Sequence, residues 1–290
     1  MFYGSIVAIV TPFKNGKVDE KAFADLIEWH IKEGTSAIVP CGTTGESATL
    51  DYDEHHRVIE LAIEVVNKRV PVIAGTGANS TDETIMITRK AQKAGADGAL
   101  LVSPYYNKPT QEGIYRHYRK VAQVVDFPLV LYNVPARTSS NILPETVARL
   151  AEIDTIVAIK EATGNMKQVS DVIRLCGDNI AVLSGDDSTT FSLMMLGGKG
   201  VISVVANVIP KAMAEMCSFI HRGLIDDARQ AHYALEPLAS AMFIETNPIP
   251  VKTAVALMGK IEEEFRLPLC EMAPANRDRL KEVLKSHKLI

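Results

Sequence analysis

The chain has 290 residues, a length that fits one (β/α)8 barrel, which commonly needs about 250, or two smaller domains. Hydrophobic residues make up 47% of the sequence and charged residues 23%, as in ordinary globular proteins that need no disulfide staples. Acidic residues outnumber basic residues by 35 to 31, giving a net charge of −4, and no Lys/Arg cluster occurs. These features exclude nucleic acid and anionic membrane as main partners, because phosphate binding requires clustered cations.

The cysteines and histidines show no metal-binding or redox motif. The four cysteines, Cys41, Cys176, Cys217 and Cys270, lie far apart, and the seven histidines form neither HxH nor HExxH. Separated thiols are typical of a reducing cytosol, so we expect a cytoplasmic protein with no metal and no cofactor. The first apolar stretch, residues 6–10, has no basic segment before it and is too short for a signal peptide or a membrane span.

Short β-branched runs alternate with amphipathic segments over most of the chain. Eight runs are predicted to be strands, at residues 6–11, 37–41, 72–75, 99–103, 129–133, 156–160, 181–184 and 201–205. Helices are predicted near residues 19–33, 52–68, 81–94, 111–125, 144–152, 166–176, 187–196 and 210–222. N-cap candidates precede the first three helices: Asp19, Asp51 and Ser80, the last forming a capping box with Glu83.

Eight βα units in one unbroken series predict an α/β fold, a (β/α)8 TIM barrel over residues 1–224. The strands are continuous apolar runs, as expected for parallel strands buried on both faces. A dinucleotide-binding fold is disfavoured, because Gly75 and Gly77 lack the third glycine of GxGxxG. Residues 225–290 are predicted to form a C-terminal helical extension, with helices at 225–243, 248–260 and 275–287 and no strands.

Polar segments follow five of the predicted strands, where the active site of such a barrel lies. The most informative residue is Lys160, which closes the sixth strand. A poorly solvated lysine is a candidate amine nucleophile, although a lysine at a strand end more often extends into solvent. Strand alternation predicts that Lys160 shares a face with Ala158 and Ile156, and that Tyr132 reaches the same pocket from the fifth strand. Tyr132 could then carry protons for the amine or simply pack its ring.

Three further residues offer groups that recognise carboxylates, each with a structural alternative. Thr43 and Thr44, between two glycines, present hydroxyls and N–H groups to an anion, or form an ordinary turn. Arg137 could clamp a carboxylate, or be a solvated loop arginine. Four nearby carboxylates are interpreted as structural: Asp186 and Asp187 as helix caps rather than metal ligands, Glu46 and Glu161 as partners of loop N–H groups rather than bases.

Taken together, these segments resemble the dihydrodipicolinate synthase family of pyruvate-dependent class I aldolases. The resemblance covers essentially the whole chain and rests on eight motifs, at residues 4–7, 42–47, 103–107, 132–138, 159–163, 184–187, 200–203 and 247–252. It implies that an imine forms between pyruvate and a lysine, and that the resulting enamine attacks L-aspartate 4-semialdehyde, an early committed step of the diaminopimelate route to lysine.

The resemblance also implies a role for particular residues. Lys160 would form the imine, Tyr132, Thr43 and Tyr106 would form a proton relay, and Tyr106 would come from a neighbouring subunit of a homotetramer built as a dimer of dimers. The substrate-binding residues would be Thr44, Arg137, Gly185 and Ile202.

A feedback site for L-lysine is a further implication of the resemblance. The corresponding positions in this sequence are Ser47, Ala48, Tyr52, His55, Asn79, Glu83 and Tyr105. Tyr52 departs from the pattern, because lysine-inhibited bacterial relatives often carry histidine there.

Two other functions stay open at this level. A sialic-acid or keto-deoxy-sugar-acid lyase would share Lys160, Tyr132 and the glycine–threonine loop, but a polyol substrate does not call for Arg137. The second alternative is not an enzyme: it is a barrel without catalytic activity that serves as a binding or regulatory protein.

Overall fold

The computed structural model describes residues 2–290 and contains eight parallel strands that form a barrel. The strands are β1 (Gly4–Ala8), β2 (Ala37–Val39), β3 (Ile73–Gly75), β4 (Gly98–Val102), β5 (Leu129–Asn133), β6 (Ile156–Glu161), β7 (Ala181–Ser184) and β8 (Gly200–Ser203). They are hydrogen-bonded in the order β2-β1-β8-β7-β6-β5-β4-β3. A parallel bridge between Ile38 and Val72 joins the two ends of this sheet, so the predicted (β/α)8 barrel is confirmed.

Helices surround the barrel and continue beyond it. Those of the βα units are α1 (Glu20–Lys32), α2 (Tyr52–Val66), α3 (Thr81–Ala94), α4 (Gln111–Val124), α5 (Pro144–Leu150), α6 (Met166–Cys176), α7 (Thr190–Met195) and α8 (Pro210–His221). The predicted C-terminal helices are α9 (Ile225–Ala241), α10 (Ile249–Leu257) and α11 (Pro274–Ser286). The division of the chain into two domains at residue 224 stays a prediction. No helix within residues 2–290 is long and apolar enough to cross a membrane.

Small irregular elements occupy the loops. They are a hairpin (Phe13–Lys14 with Lys17–Val18), a one-turn helix (Pro135–Thr138) and three 3₁₀ turns (Ser47–Thr49, Asp187–Thr189 and Val205–Asn207). The hairpin and the one-turn helix were not expected from the sequence pattern.

The three predicted N-caps are present, but the capping box lies elsewhere. The side chains of Asp19, Asp51 and Ser80 accept hydrogen bonds from the first turns of α1, α2 and α3. The box is complete at Asp51, where Glu54 returns the bond to the N-cap backbone. The Glu83 carboxylate does not close the expected box with Ser80, because it accepts the Tyr52 hydroxyl at 2.8 Å.

Four strands end earlier than predicted, and in two of them, β1 and β8, a buried side chain accepts or replaces the next backbone hydrogen bonds. Strand β1 stops at Ala8, and beyond it the Val10 N–H donates to the Asn207 side chain at 3.0 Å. Strand β8 stops at Ser203, and the next two N–H groups donate to Asp187 Oδ2 at 3.0 and 2.9 Å. In both cases a buried side chain takes the place of the ladder partner, which an apolar pattern alone does not indicate.

The core has two layers, and β6 shows how a bulge redirects side chains between them. A cluster inside the barrel includes Val130, Tyr132 and Ala158, and a larger one fills the space between sheet and helices. Ile156 belongs to the outer cluster, so the prediction that it shares a face with Lys160 is wrong. The register between β5 and β6 shifts at Leu129/Val130, and this irregularity turns Ile156 outward.

A buried ion pair joins the C-terminal extension to the loop after β2. Lys252 of α10 pairs with Glu46, and both side chains are 0% exposed. Lys252 Nζ also donates to the Glu264 carbonyl at 2.8 Å and lies 4.2 Å from the centre of the Phe13 ring. Burial lowers the pKa of Lys252, and the Glu46 carboxylate opposes that effect. The loop is thereby held by a residue about two hundred positions away in sequence.

Arg266 extends this connection to the start of α2. Its backbone N–H donates to Glu46 Oε2 at 3.3 Å, and its guanidinium makes two bonds to Glu54, at 2.5 and 2.6 Å. We refer to Glu46, Glu54, Lys252 and Arg266 as the C-terminal clamp.

Replacing Lys252 with methionine is expected to lower the free energy of unfolding by about 3–5 kcal/mol, because the Glu46 carboxylate is left buried without its partner. Urea denaturation followed by circular dichroism measures the change. Lys21→Ala is the control: it breaks an ion pair with Asp25 whose side chains are 85% and 65% exposed, and should cost less than about 1 kcal/mol. Equal losses in the two variants would contradict the importance of the clamp.

Candidate active site

Lys160 and Tyr132 meet inside the carboxyl end of the barrel, as predicted. They are register partners on β6 and β5, and the Lys160 Nζ lies 4.4 Å from the centre of the Tyr132 ring. Both are buried, at 4% and 7% exposure. The other buried lysine, Lys252, is paired with a carboxylate and faces the Phe13 ring, which carries no hydroxyl, whereas Lys160 faces the phenol ring of Tyr132. Lys160 is therefore the amine that lies against a potential proton carrier.

Gly185 provides the space that the Lys160 side chain occupies. A Cβ atom at position 185 would lie 3.1 Å from both Cγ and Cε of Lys160 and 2.6 Å from the Ala162 Cβ. A larger residue at this position would clash with Ala162 and crowd the lysine side chain. Ile202, on β8, is fully buried in the cluster inside the barrel that also contains Tyr132. Both predicted pocket residues thus lie on the inner face, with Gly185 directly against the lysine.

Thr43 and Thr44 lie in a tight turn after β2. The Gly45 and Glu46 N–H groups donate back to the Gly42 and Thr43 carbonyls at 3.1 Å, which forms the turn. Thr44 is 2% exposed and Thr43 is half-buried. Glu46 follows with a φ of +52°, a strained conformation for a residue with a side chain, and the C-terminal clamp holds it there.

Asn247 connects two of the predicted substrate-binding residues. Its Nδ2 donates to Thr44 Oγ1 at 3.1 Å, and its backbone carbonyl accepts from Arg137 Nη2 at 2.9 Å. The structure therefore brings Thr44 and Arg137 together through a residue to which the sequence analysis gave no role. The signal in the sequence is a polar residue, Asn247, at the start of a short apolar segment that ends in Lys252.

Tyr106 does not reach the site of its own chain. Its side chain is 90% exposed, and its φ of +70° lies in the left-handed region. For a bulky residue this backbone conformation is unusual and is commonly found where function requires it. The aromatic ring of Tyr106 is therefore open to solvent and takes no part in the buried cluster around Lys160.

The residues predicted to bind L-lysine cluster around the starts of α2 and α3. The Tyr52 hydroxyl donates a hydrogen bond to Glu83. Burial raises the pKa of the Tyr105 phenol, and the charge of the nearby Glu83 raises it further. Asn107, two residues beyond Tyr105, donates to the Asn79 carbonyl at 2.9 Å. The remaining members are Ser47, Ala48 and His55, and burial lowers the pKa of His55 to about 4, so its imidazole is neutral at pH 7.

All four acidic residues interpreted as structural accept hydrogen bonds from backbone N–H groups, but Asp187 is not the cap of the following helix that was predicted. Glu46 belongs to the C-terminal clamp, and Asp186 caps the turn at Ser188 with a 3.0 Å bond. Asp187 accepts the two N–H groups after β8, and Glu161 accepts the Thr163 N–H at 2.8 Å. Burial raises the pKa of Asp186, Asp187 and Glu161. Residues 2–290 contain no cluster of three histidine, cysteine or acidic side chains that could hold a metal.

Comparison with known proteins agrees with this geometry. The 4-hydroxy-tetrahydrodipicolinate synthase of Thermodesulfovibrio yellowstonii is 70% identical over 290 residues and covers all of both chains. The solved dihydrodipicolinate synthase of Aquifex aeolicus is 52% identical, with a TM-score of 0.98 over 99% of each chain.

Two further solved structures carry small molecules. The chloride-inhibited dihydrodipicolinate synthase of Acinetobacter baumannii, complexed with pyruvate, is 50% identical, with a TM-score of 0.98 over all of both chains. The enzyme of Cyanidioschyzon merolae, with lysine bound, is 39% identical, with a TM-score of 0.96 over 99% of each chain. The model of the dihydrodipicolinate synthetase family matches residues 1–287, and the chain belongs to that family.

Proposed function

We propose that this chain is a lyase of the class I aldolase type that condenses pyruvate with L-aspartate 4-semialdehyde, as a 4-hydroxy-tetrahydrodipicolinate synthase does. The observation that carries the proposal is the position of Lys160: a buried amine inside the barrel mouth, against the Tyr132 ring and in space left by Gly185. A relative that is 70% identical over the whole chain bears the name of this enzyme.

The chemistry begins with an imine. Lys160 Nζ attacks the carbonyl carbon of pyruvate, and the carbonyl oxygen takes up two protons and leaves as water. Loss of a methyl proton turns the imine into an enamine, whose carbon attacks the aldehyde carbon of the semialdehyde. The amino group of the semialdehyde then attacks the imine carbon, which closes the ring and releases Lys160. Each stage moves protons at the amine, and Tyr132 is the phenol nearest to it.

The two substrate carboxylates need separate partners. We assign the pyruvate carboxylate to Thr44 and the N–H groups of Thr43 and Thr44, because within residues 2–290 these two N–H groups have no acceptor, whereas those of Gly45 and Glu46 are used to form the turn. We assign the semialdehyde carboxylate to Arg137, whose guanidinium is exposed at the same end and is oriented by Asn247. We assign to Thr43 the transfer of protons between Tyr132 and the solvent.

The same site disfavours the main rival. A sialic-acid or keto-deoxy-sugar-acid lyase would use the same imine, but its polyol tail needs hydroxyl partners where this chain has the Arg137 guanidinium. Reaction with an aldehyde that bears a carboxylate fits that group better.

The assembly and location form part of the proposal. The exposed Tyr106 supports a homotetramer, a dimer of dimers, in which each Tyr106 completes the proton relay of a neighbouring subunit. Four free thiols support a reducing compartment, and we infer a cytoplasmic enzyme.

Incubation with pyruvate and borohydride is expected to reduce the imine and leave a pyruvate adduct on Lys160, which peptide mass spectrometry maps. Lys160→Ala should abolish the adduct, whereas Lys252, buried but ion-paired, should remain unlabelled and serves as the internal control. In a coupled assay, aspartate semialdehyde should be consumed and sugar aldehydes should not. A wild-type protein without an adduct at Lys160 would sink the mechanism.

Two inactive variants are expected to restore activity to each other. Lys160→Ala lacks the amine and Tyr106→Phe lacks the relay hydroxyl, but a mixed dimer contains one site with both groups if Tyr106 acts between subunits. Coexpression with two different tags isolates mixed assemblies, which should recover up to about half of the wild-type activity because each mixed dimer within them has one whole site of two. No recovery would mean that Tyr106 acts within its own subunit or not at all.

L-Lysine is expected to bind at the cluster around Tyr52 and Glu83 and to inhibit the enzyme. Glu83→Gln should weaken binding roughly 10- to 100-fold, because a hydrogen bond between two charged groups becomes one to an amide. Isothermal titration calorimetry measures the affinity, with Glu112→Gln, an exposed carboxylate on α4, as the matched control. Absence of both heat and inhibition at millimolar lysine would rule the site out.

A further inference from the structure

Strands β5 and β6 end in two consecutive residue pairs that face opposite ways. Tyr132 and Lys160 are register partners, and Asn133 and Glu161 are the next ones. Since side chains alternate along a strand, the first pair lies inside the barrel and the second behind it, where Glu161 meets Gln168 of α6. The two pairs therefore share the same short stretch of backbone.

The outer pair is linked by a buried hydrogen bond. Asn133 Nδ2 donates to Glu161 Oε2 at 3.0 Å, and both residues are at most 2% exposed. The other carboxylate oxygen accepts the Thr163 N–H at 2.8 Å. Within residues 2–290 no lysine or arginine pairs with Glu161, so neutral donors alone stabilise its charge. Such an arrangement is costly to bury.

The direction of each bond is fixed. Asn133 cannot turn its amide over, because its Oδ1 accepts the Ile142 N–H at 3.0 Å. A glutamine at position 161 has one oxygen and one NH₂ group. Its NH₂ would face another donor, either the Asn133 NH₂ or the Thr163 N–H, and that hydrogen bond would be lost. The site consequently requires a side chain that only accepts.

We propose that the Asn133–Glu161 pair is a positioning device for the imine-forming pair. By tying the ends of β5 and β6 together from behind, it fixes the separation and rotation of the backbone that carries Tyr132 and Lys160. Neither residue touches substrate. The inference rests on the proposed function, since it assumes that Lys160 forms the imine.

The test measures imine formation directly. Protein is mixed with pyruvate, quenched with borohydride at increasing times, and the adduct on Lys160 is quantified by mass spectrometry, with thermal melting recorded in parallel. Glu161→Gln is expected to slow adduct formation roughly 10- to 100-fold, the effect of a misplacement on the order of 1 Å. Thr88→Ala, which removes the buried hydrogen bond between the Thr88 and Thr76 hydroxyls but no hydrogen bond of Glu161, should lower the melting temperature without slowing the adduct.

A reversed pair provides the rescue. In Asn133→Asp with Glu161→Gln the donor and the acceptor exchange places, so the double variant should trap pyruvate faster than either single variant. If Glu161→Gln does not fold, the comparison of the double variant with Asn133→Asp alone carries the test.

Two results would overturn the inference while leaving the proposed function intact: an adduct rate in Glu161→Gln equal to that of the wild type, or rates that merely follow melting temperature across all variants. Failure of the wild-type protein to form any adduct would instead defeat the proposed function.

Discussion

The alternation of side chains at the ends of β5 and β6 is the constraint on which the site depends. Tyr132 of β5 and Lys160 of β6 face the interior of the barrel. The next residue along each strand, Asn133 and Glu161 respectively, faces the helices. The inner residues can meet because the register aligns them, and the outer residues are bonded across the same register. The geometry of the amine is therefore decided by the sheet rather than by a flexible loop, which favours precise placement.

The loop after β2 needs a different kind of support, since no strand carries it. Its turn contains a residue with positive φ, Glu46, and a half-buried threonine. The C-terminal clamp holds this turn by charge, and Asn247 holds it by a hydrogen bond to Thr44. The extension beyond the barrel is thus part of the wall of the site. This is why α10, which carries Lys252, lies against the loop after β2.

Local patterns were sufficient for the barrel and for the residues at the strand ends. The period of the apolar runs gave the eight strands, and the rule that sites lie where strands end selected Lys160, Tyr132 and the threonine loop. Ile156 was misplaced because a bulge leaves no signature in an apolar run. The partners of Glu46 and Thr44 could not be predicted, because Lys252 and Asn247 lie more than two hundred residues away and only the closed fold brings them near.

The C-terminal clamp also has a consequence for synthesis of the chain. Glu46 is synthesised about two hundred residues before Lys252 and Arg266, and the ribosome adds about 5–20 residues each second. All eight strands therefore leave the ribosome before the two cations that anchor the turn with Thr43 and Thr44. A chain that ends before Lys252 would leave the Glu46 carboxylate without its partner and the turn without its anchor.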